Sequence, residues 1–192
     1  MSVSPDRRSH WQKVWTEKDP QRVSWFQPDP ATSVALVQAL APRADAPIVD
    51  VGGGASLLVD RLLGLGFGRV AVLDVSEAAL AHAAERLGPL GDAVAWIASD
   101  VLEWAPAPGS FDVWHDRAVF HFLTDPADQR AYARVLETAL APRGAVILGT
   151  FAPDGPEKCS GLPVARHDAA SLSAILGPGF QLVEERAEEH TT

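Results

Sequence analysis

The stretch Ile48-Val49-Asp50-Val51-Gly52-Gly53-Gly54-Ala55-Ser56 decides how the rest of the chain is read. Pro47 to Val51 is a short apolar run of the kind that forms a buried strand. Three glycines follow it directly. A helical pattern then runs from Ser56 to Leu65, with Leu58, Leu62 and Leu65 on one face and Gly64 or Gly66 as its stop. Glycines let a backbone turn tightly and approach a ligand with no Cβ in the way. The helix start at Ala55-Ser56 presents free N–H groups to ligand oxygens, a carboxylate included.

Outward from this loop the chain alternates. Arg69 to Asp74, Ala93 to Ala98, Phe111 to Trp114 and Gly144 to Phe151 read as further strands. Ser76 caps a helix that carries Leu80, Ala83, Ala84 and Leu87 and stops at Gly88. Asp125-Pro126 is a cap followed by proline at the first helical position, opening a helix to about Leu140; Asp29-Pro30 does the same for a helix over 30–41. Asp168 to Leu176 is another helix. Phe180 to Glu189 alternates weakly and is expected as a sixth, more exposed strand. Strands rich in Val, Ile and Leu between helices predict an α/β fold: a Rossmann-like, doubly wound sheet, parallel over most of its width, in three α/β/α layers. Such sheets bind ligands at the carboxyl ends of their strands.

The bulk properties bound the function. A chain of 192 residues is expected to be a single domain with a substantial core. No apolar run approaches the ~20 residues needed to span a bilayer, and the N-terminus is polar, so a cytoplasmic protein with no membrane partner is expected. The single cysteine, Cys159, excludes an internal disulfide and a multi-cysteine zinc site, and no metal site is evident. A net charge of −9 with 16 scattered basic residues argues against nucleic acid. Residues 1–30 stand apart: they hold Trp11, Trp15 and Trp25 without a long apolar periodicity.

Two ligand classes use a strand–glycine loop–helix. A dinucleotide site wants G-x-G-x-x-G, whose third glycine lets helix and strand pack closely. Here Leu57 holds that third place. Asp74, with Val75 behind it, ends the second strand 20 residues after Gly54, where an acid accepts hydrogen bonds from ribose hydroxyls. That feature suits either class. Asp50-x-Gly52-x-Gly54, together with Asp74 and Asp100, resembles the class I S-adenosylmethionine-dependent methyltransferases over about residues 46–190. The resemblance implies S-adenosylmethionine as cofactor, held at Asp50, Gly52, Gly53, Gly54, Asp74, Val75, Asp100 and Val101. Asp100 would lie beside the adenine amino group, with Val101 or Leu102 on the ring.

The segment His10-Trp11 to Trp15, followed by Ser24-Trp25-Phe26-Gln27, is similar to the N-terminal lid of thiopurine S-methyltransferase-like enzymes and of some protein-lysine methyltransferases. It implies a lid over 1–30, with Trp25 or Phe26 covering the cofactor, and a methyltransferase domain over 31–192. Core packing of Trp11 against Trp15 at i, i+4 explains that pair equally well. One departure concerns the family's last strand, which inserts between the fifth and sixth. The sequence stops at His190-Thr191-Thr192, so that strand is missing; truncation is the expected cause, because its loss would leave two strands unpaired.

His115, Asp116, Arg117 and His121 follow the fourth strand, where the family faces the transferable methyl group. The Asn/Asp-Pro-Pro-Tyr/Phe tetrapeptide of nucleic-acid amino-methyltransferases is not there. His115 is a candidate general base, also near the cofactor, and Arg117 a candidate holder of a substrate carboxylate. A structural Asp116–Arg117 pair is the alternative. His121 and Cys159 read as structural. The expected activity is methyl transfer to N, O or S of a small-molecule acceptor. A protein lysine is the second acceptor class. A nicotinamide-dependent oxidoreductase and a non-catalytic cofactor-binding protein are the remaining alternatives.

Overall fold

The computed structural model describes residues 5–117 and 119–189. The 1–4 end of the lid segment and the terminal His190-Thr191-Thr192 lie outside them. The glycine loop stands between strand β1 (Ile48–Val51) and helix α3 (Leu58–Gly64). The chain reaches it through α1 (Pro5–Glu17) and α2 (Ala31–Leu40). It continues through β2 (Val70–Asp74), α4 (Glu77–Leu87), β3 (Ala95–Ala98), β4 (Phe111–Arg117), α5 (Pro126–Ala139) and β5 (Leu140–Gly149). A hairpin of β6 (Lys158–Cys159) and β7 (Leu162–Pro163) and then α6 (Ala169–Leu176) complete it. The five main strands form one parallel sheet in the order β3-β2-β1-β4-β5. Strand order reverses at β1, which is where such a sheet opens a crevice at its carboxyl edge.

Side chains alternate across a strand, and that alternation sorts the core into two layers. Ile48, Val70, Val72 and Val113 point to one face and pack on Val34 and Val37 of α2, Leu58 and Leu62 of α3, and Leu80 and Leu87 of α4. Val49, Val51, Leu73 and Trp114 point to the other, against Tyr132, Leu136 and Ala139 of α5 and the half-buried Leu172 and Leu176 of α6. Each fully buried large side chain contributes about 1.5–3 kcal/mol. Asp50, Asp74, His115 and Arg117 all fall on the first face by the same parity, whereas Asp116 falls on the second.

Several expected boundaries move. Residues 180–189 form no strand: Leu182 and Val183 are exposed, and the charged sequence around them offers no apolar face to bury. Residues 5–17 form a helix that sequence periodicity does not announce, because over 7–17 only Val14 and Trp15 are deeply buried. Asp29 does not cap α2; Pro30 occupies that position with no side-chain cap bond. The helix after the glycines starts at Leu58, since Ser56 spends its hydroxyl accepting from the Leu58 N–H at 3.1 Å. The third strand starts at Ala95, after a 3-10 stretch over Gly88–Ala93. The fifth starts at Leu140, four residues early, across an irregularity where Arg143 has φ +69°. Asp125 and Asp168 cap α5 and α6 as expected.

Candidate active site

The carboxyl ends of β1, β2, β3 and β4 open into two adjoining chambers that share Trp15, Trp25, Gly52 and Arg117. The larger encloses about 820 Å³, mouth included, and is bordered by Asp74, Val75, Asp100, Val101 and Phe122. The smaller, about 560 Å³, is bordered by Phe26, Ser33, Asp50, Gly53 and His115. Trp25 stands between the two and is flanked edge-on by Trp11 and Trp15, with ring centroids 5.6 and 5.9 Å away.

The glycines are required by their neighbours. Gly52 has φ +69°, and a Cβ there would come 1.9 Å from the Val119 Cγ2. At Gly53 it would meet the Asp50 carboxylate at 2.5 Å, and at Gly54 the Asp74 carboxylate at 2.8 Å. The loop therefore folds down onto the two acids that border the chambers, as a backbone cradle for a polar ligand must.

Asp74 ends β2 with its Oδ1 accepting the Ser76 N–H at 2.8 Å. Burial pushes its pKa up to about 7, with backbone bonds from Ser76 and Val75 opposing and the Asp50 charge adding to the rise. Asp100 accepts the Leu102 N–H at 2.8 Å, and burial raises its pKa too. Both carboxylates await donors in the larger chamber. Of the two candidates for an adenine-stacking residue, Val101 borders the cavity, while Leu102 packs into the core. Of the two candidate covers, Trp25 borders both chambers and Phe26 only the smaller.

The group after the fourth strand separates by parity. Asp116 is fully buried on the α5 side, where Oδ2 accepts the Tyr132 hydroxyl at 2.6 Å and Oδ1 the Val119 N–H at 2.8 Å. Tyr132 in turn accepts the Trp114 indole N–H at 2.8 Å. Burial lifts Asp116 to about 6 and Tyr132 well above its ordinary value. Asp116 thus braces the sheet against α5, borders neither chamber, and does not pair with Arg117. His115 is 3% exposed with Nδ1 2.7 Å from Asp50 Oδ1 and Nε2 2.9 Å from Ser33 Oγ. Both ring nitrogens are engaged in hydrogen bonds, and the ring borders the smaller chamber. Arg117 borders both chambers; among the described residues its guanidinium makes one hydrogen bond, from Nη1 to the Trp25 carbonyl at 3.4 Å, and desolvation lowers its pKa against the opposing Glu188 and Asp50 charges. His121, pushed down to about 4 by burial, packs against Phe122 and Phe151 away from the cavities. Cys159 borders the larger chamber with its thiol pKa raised by burial, which disfavours the thiolate. Among the described residues no group of three or more His, Cys, Asp or Glu is placed to hold a metal ion, and no helix is long and apolar enough to cross a membrane.

Polar contacts tie α1 to the rest of the chain at three points. Gln12 Oε1 accepts the Ser76 hydroxyl at 3.0 Å, the Trp15 carbonyl lies 2.9 Å from His82 Nε2, and Arg7 pairs with Asp128 at 2.8 Å. Sequence reasoning missed Ser33, Val119 and Phe122 as cavity residues. Phe122 had a signal, an aromatic just past the fourth strand; Ser33 had none.

A methyltransferase-domain family model matches residues 48–144, just over half of the chain. The chain belongs to the S-adenosylmethionine-dependent class I methyltransferases. No characterised protein sequence matches it significantly, but solved structures share its fold. A protein described for conversion of a disulfide bond into a thioacetal group during echinomycin biosynthesis aligns with a TM-score of 0.69 at 20% identity, over 89% of this chain and 77% of that one. The 1,6-didemethyltoxoflavin-N1-methyltransferase of Burkholderia thailandensis aligns at 0.65 and 20%, over 92% and 78%. The phosphoethanolamine N-methyltransferase 1 of Haemonchus contortus aligns at 0.65 and 16%, over 88% and 37%. The methyltransferase uses S-adenosylmethionine, and its residues fit that molecule. The buried acids Asp74 and Asp100 border the larger chamber and can accept hydrogen bonds from hydroxyl and amine groups. A glycine cradle with a single carboxylate, Asp50, borders the smaller chamber.

Proposed function

We propose that this methyltransferase acts on a small-molecule acceptor that carries an anionic group, and that Arg117 holds that group. The observation that carries this reading is a half-buried guanidinium with no carboxylate within ion-pair distance among the described residues, set in a cavity walled by Trp11, Trp25 and Phe122. The Glu188 and Asp50 charges act on it only from beyond ion-pair distance, and a carboxylate or phosphate from a ligand would pair with this desolvated guanidinium bidentately. Two of the structural neighbours are described with small acceptors bound, 1,6-didemethyltoxoflavin and phosphoethanolamine.

The remaining site roles follow from placement. Asp74 and Asp100 would hold the ribose and adenine ends of the cofactor, with Val75 and Val101 against its apolar surface. Gly52, Gly53, Gly54 and Asp50 would hold its amino-acid end. Trp25, with Phe26 beside it, covers the junction where residues 1–30 act as a lid. The cofactor supplies a sulfonium methyl group open to in-line attack. The protein's share is to hold the acceptor against it and exclude water, which can supply ~7–11 kcal/mol. Among the described residues no histidine borders the larger chamber, so the reading favours an acceptor atom that attacks without prior deprotonation, such as a neutral amine or a thiolate.

Labelled S-adenosylmethionine offered with small amino- and thio-acids, with their uncharged amides, and with cell-extract protein tests this. The expected label is in the acids, with KM for the acceptor raised about 10–100-fold by Arg117→Met, the range for a lost charged hydrogen bond. Label confined to protein lysine, or acids and amides used equally, would refute it.

A further inference from the structure

Asp50 is the one carboxylate bordering the smaller chamber, and it does not stand alone. Parallel register sets it directly opposite His115 on the neighbouring strand, on the same face of the sheet. The imidazole Nδ1 lies 2.7 Å from Asp50 Oδ1, and its Nε2 lies 2.9 Å from the hydroxyl of Ser33, in the first turn of α2. All three side chains are buried, with 3%, 3% and 6% of their residues exposed. One unbranched hydrogen-bonded chain thus runs from β1 through β4 to α2. Asp50 Oδ2 is left beneath the Gly53 backbone with no hydrogen-bond partner among the described residues.

We propose that His115 and Ser33 are positioning residues for cofactor binding: they lock Oδ1 of Asp50 so that Oδ2 is presented to the α-ammonium of the cofactor's amino-acid end. The inference rests on the methyltransferase reading. An ammonium entering this chamber needs an anion, and Asp50 is the one the chamber provides. A carboxylate free to turn about its side-chain bonds gives up part of the binding energy in being ordered, whereas one clamped by a buried ring does not. Ser33 fixes the ring in turn, because a hydroxyl on Nε2 holds the imidazole plane against α2.

Titration calorimetry of the full chain with two ligands separates this from a packing role. S-adenosylhomocysteine carries the amino-acid end, and 5′-methylthioadenosine lacks it. His115→Leu is expected to weaken S-adenosylhomocysteine about tenfold or more, the equivalent of one lost buried hydrogen bond, while methylthioadenosine changes less than about twofold. His115→Asn, whose amide can still donate to Asp50 Oδ1, is expected to recover most of the loss, and Ser33→Ala to weaken S-adenosylhomocysteine alone by a few-fold. Equal weakening of both ligands, or no effect on either, overturns the proposal. Should His115→Leu not fold, the same comparison with Ser33→Ala and His115→Asn decides it. Failure of the unaltered protein to bind S-adenosylhomocysteine at all would instead overturn the methyltransferase reading.

Discussion

Replacing Asp74 by Asn should uncouple cofactor binding from a proton. Burial in the open chamber lifts the Asp74 pKa from 3.8 to about 7, so at pH 6 the empty protein holds this carboxyl roughly nine-tenths protonated. Ribose hydroxyls donating to it favour the ionised form. Binding of S-adenosylhomocysteine at pH 6 should therefore release close to one proton, read by calorimetry in buffers of different ionisation enthalpy. Asp74→Asn should bind more weakly and release none from this site. The same shift acts on stability without ligand. The folded form holds the proton more tightly than the unfolded chain, so the stabilisation is complete below about pH 4 and is lost as pH rises through about 7. The loss is on the order of 4 kcal/mol at 1.36 kcal/mol per pKa unit. Asp116, raised to about 6, leaves a smaller slope of the same sign in the variant. Equal proton release by both proteins, or none by the unaltered one at pH 6, would refute the reasoning.

Two further outcomes follow from the geometry. Tyr132→Phe strips the hydroxyl that donates to Asp116 and accepts from Trp114; Asp116 keeps the Val119 and Phe120 N–H groups, but the buried Trp114 N–H is left unsatisfied, so chemical denaturation should show a loss of about 1–3 kcal/mol. Gly52→Ala must place a Cβ 1.9 Å from Val119 at φ +69°, so binding of S-adenosylhomocysteine should fall at least tenfold in calorimetry, beyond any change in melting temperature.

Much of this was legible before the structure because it depends on short-range patterns. Strands β1 and β2 announce themselves through short runs of Ile, Val, Ala and Leu, and the acids Asp50, Asp74 and Asp100 lie at or near the ends of strands. Strand parity was also available: counting by twos from Val113 puts His115 and Arg117 on one face and Asp116 on the other. What stayed hidden depends on distant packing. The Ser33–His115 contact joins residues 82 apart and exists only because α2 crosses β4. Helix α1 has only a short apolar face to read, Trp11, Val14 and Trp15, and the rest of its hold on the domain runs through Gln12, Arg7 and the Trp15 carbonyl. The 180–189 segment shows the opposite failure. Its weak alternation resembles a strand, but its charges leave it no face to bury.

The central claim, that the glycine loop and its acids seat S-adenosylmethionine beneath Trp25, is tested most directly by a crystal structure with S-adenosylhomocysteine. The account predicts adenine beside Asp100, ribose hydroxyls on Asp74, and the amino-acid end in the chamber bordered by Asp50 and Gly53. A crystal that binds the ligand elsewhere, or a protein that binds NAD and not S-adenosylhomocysteine, would contradict it.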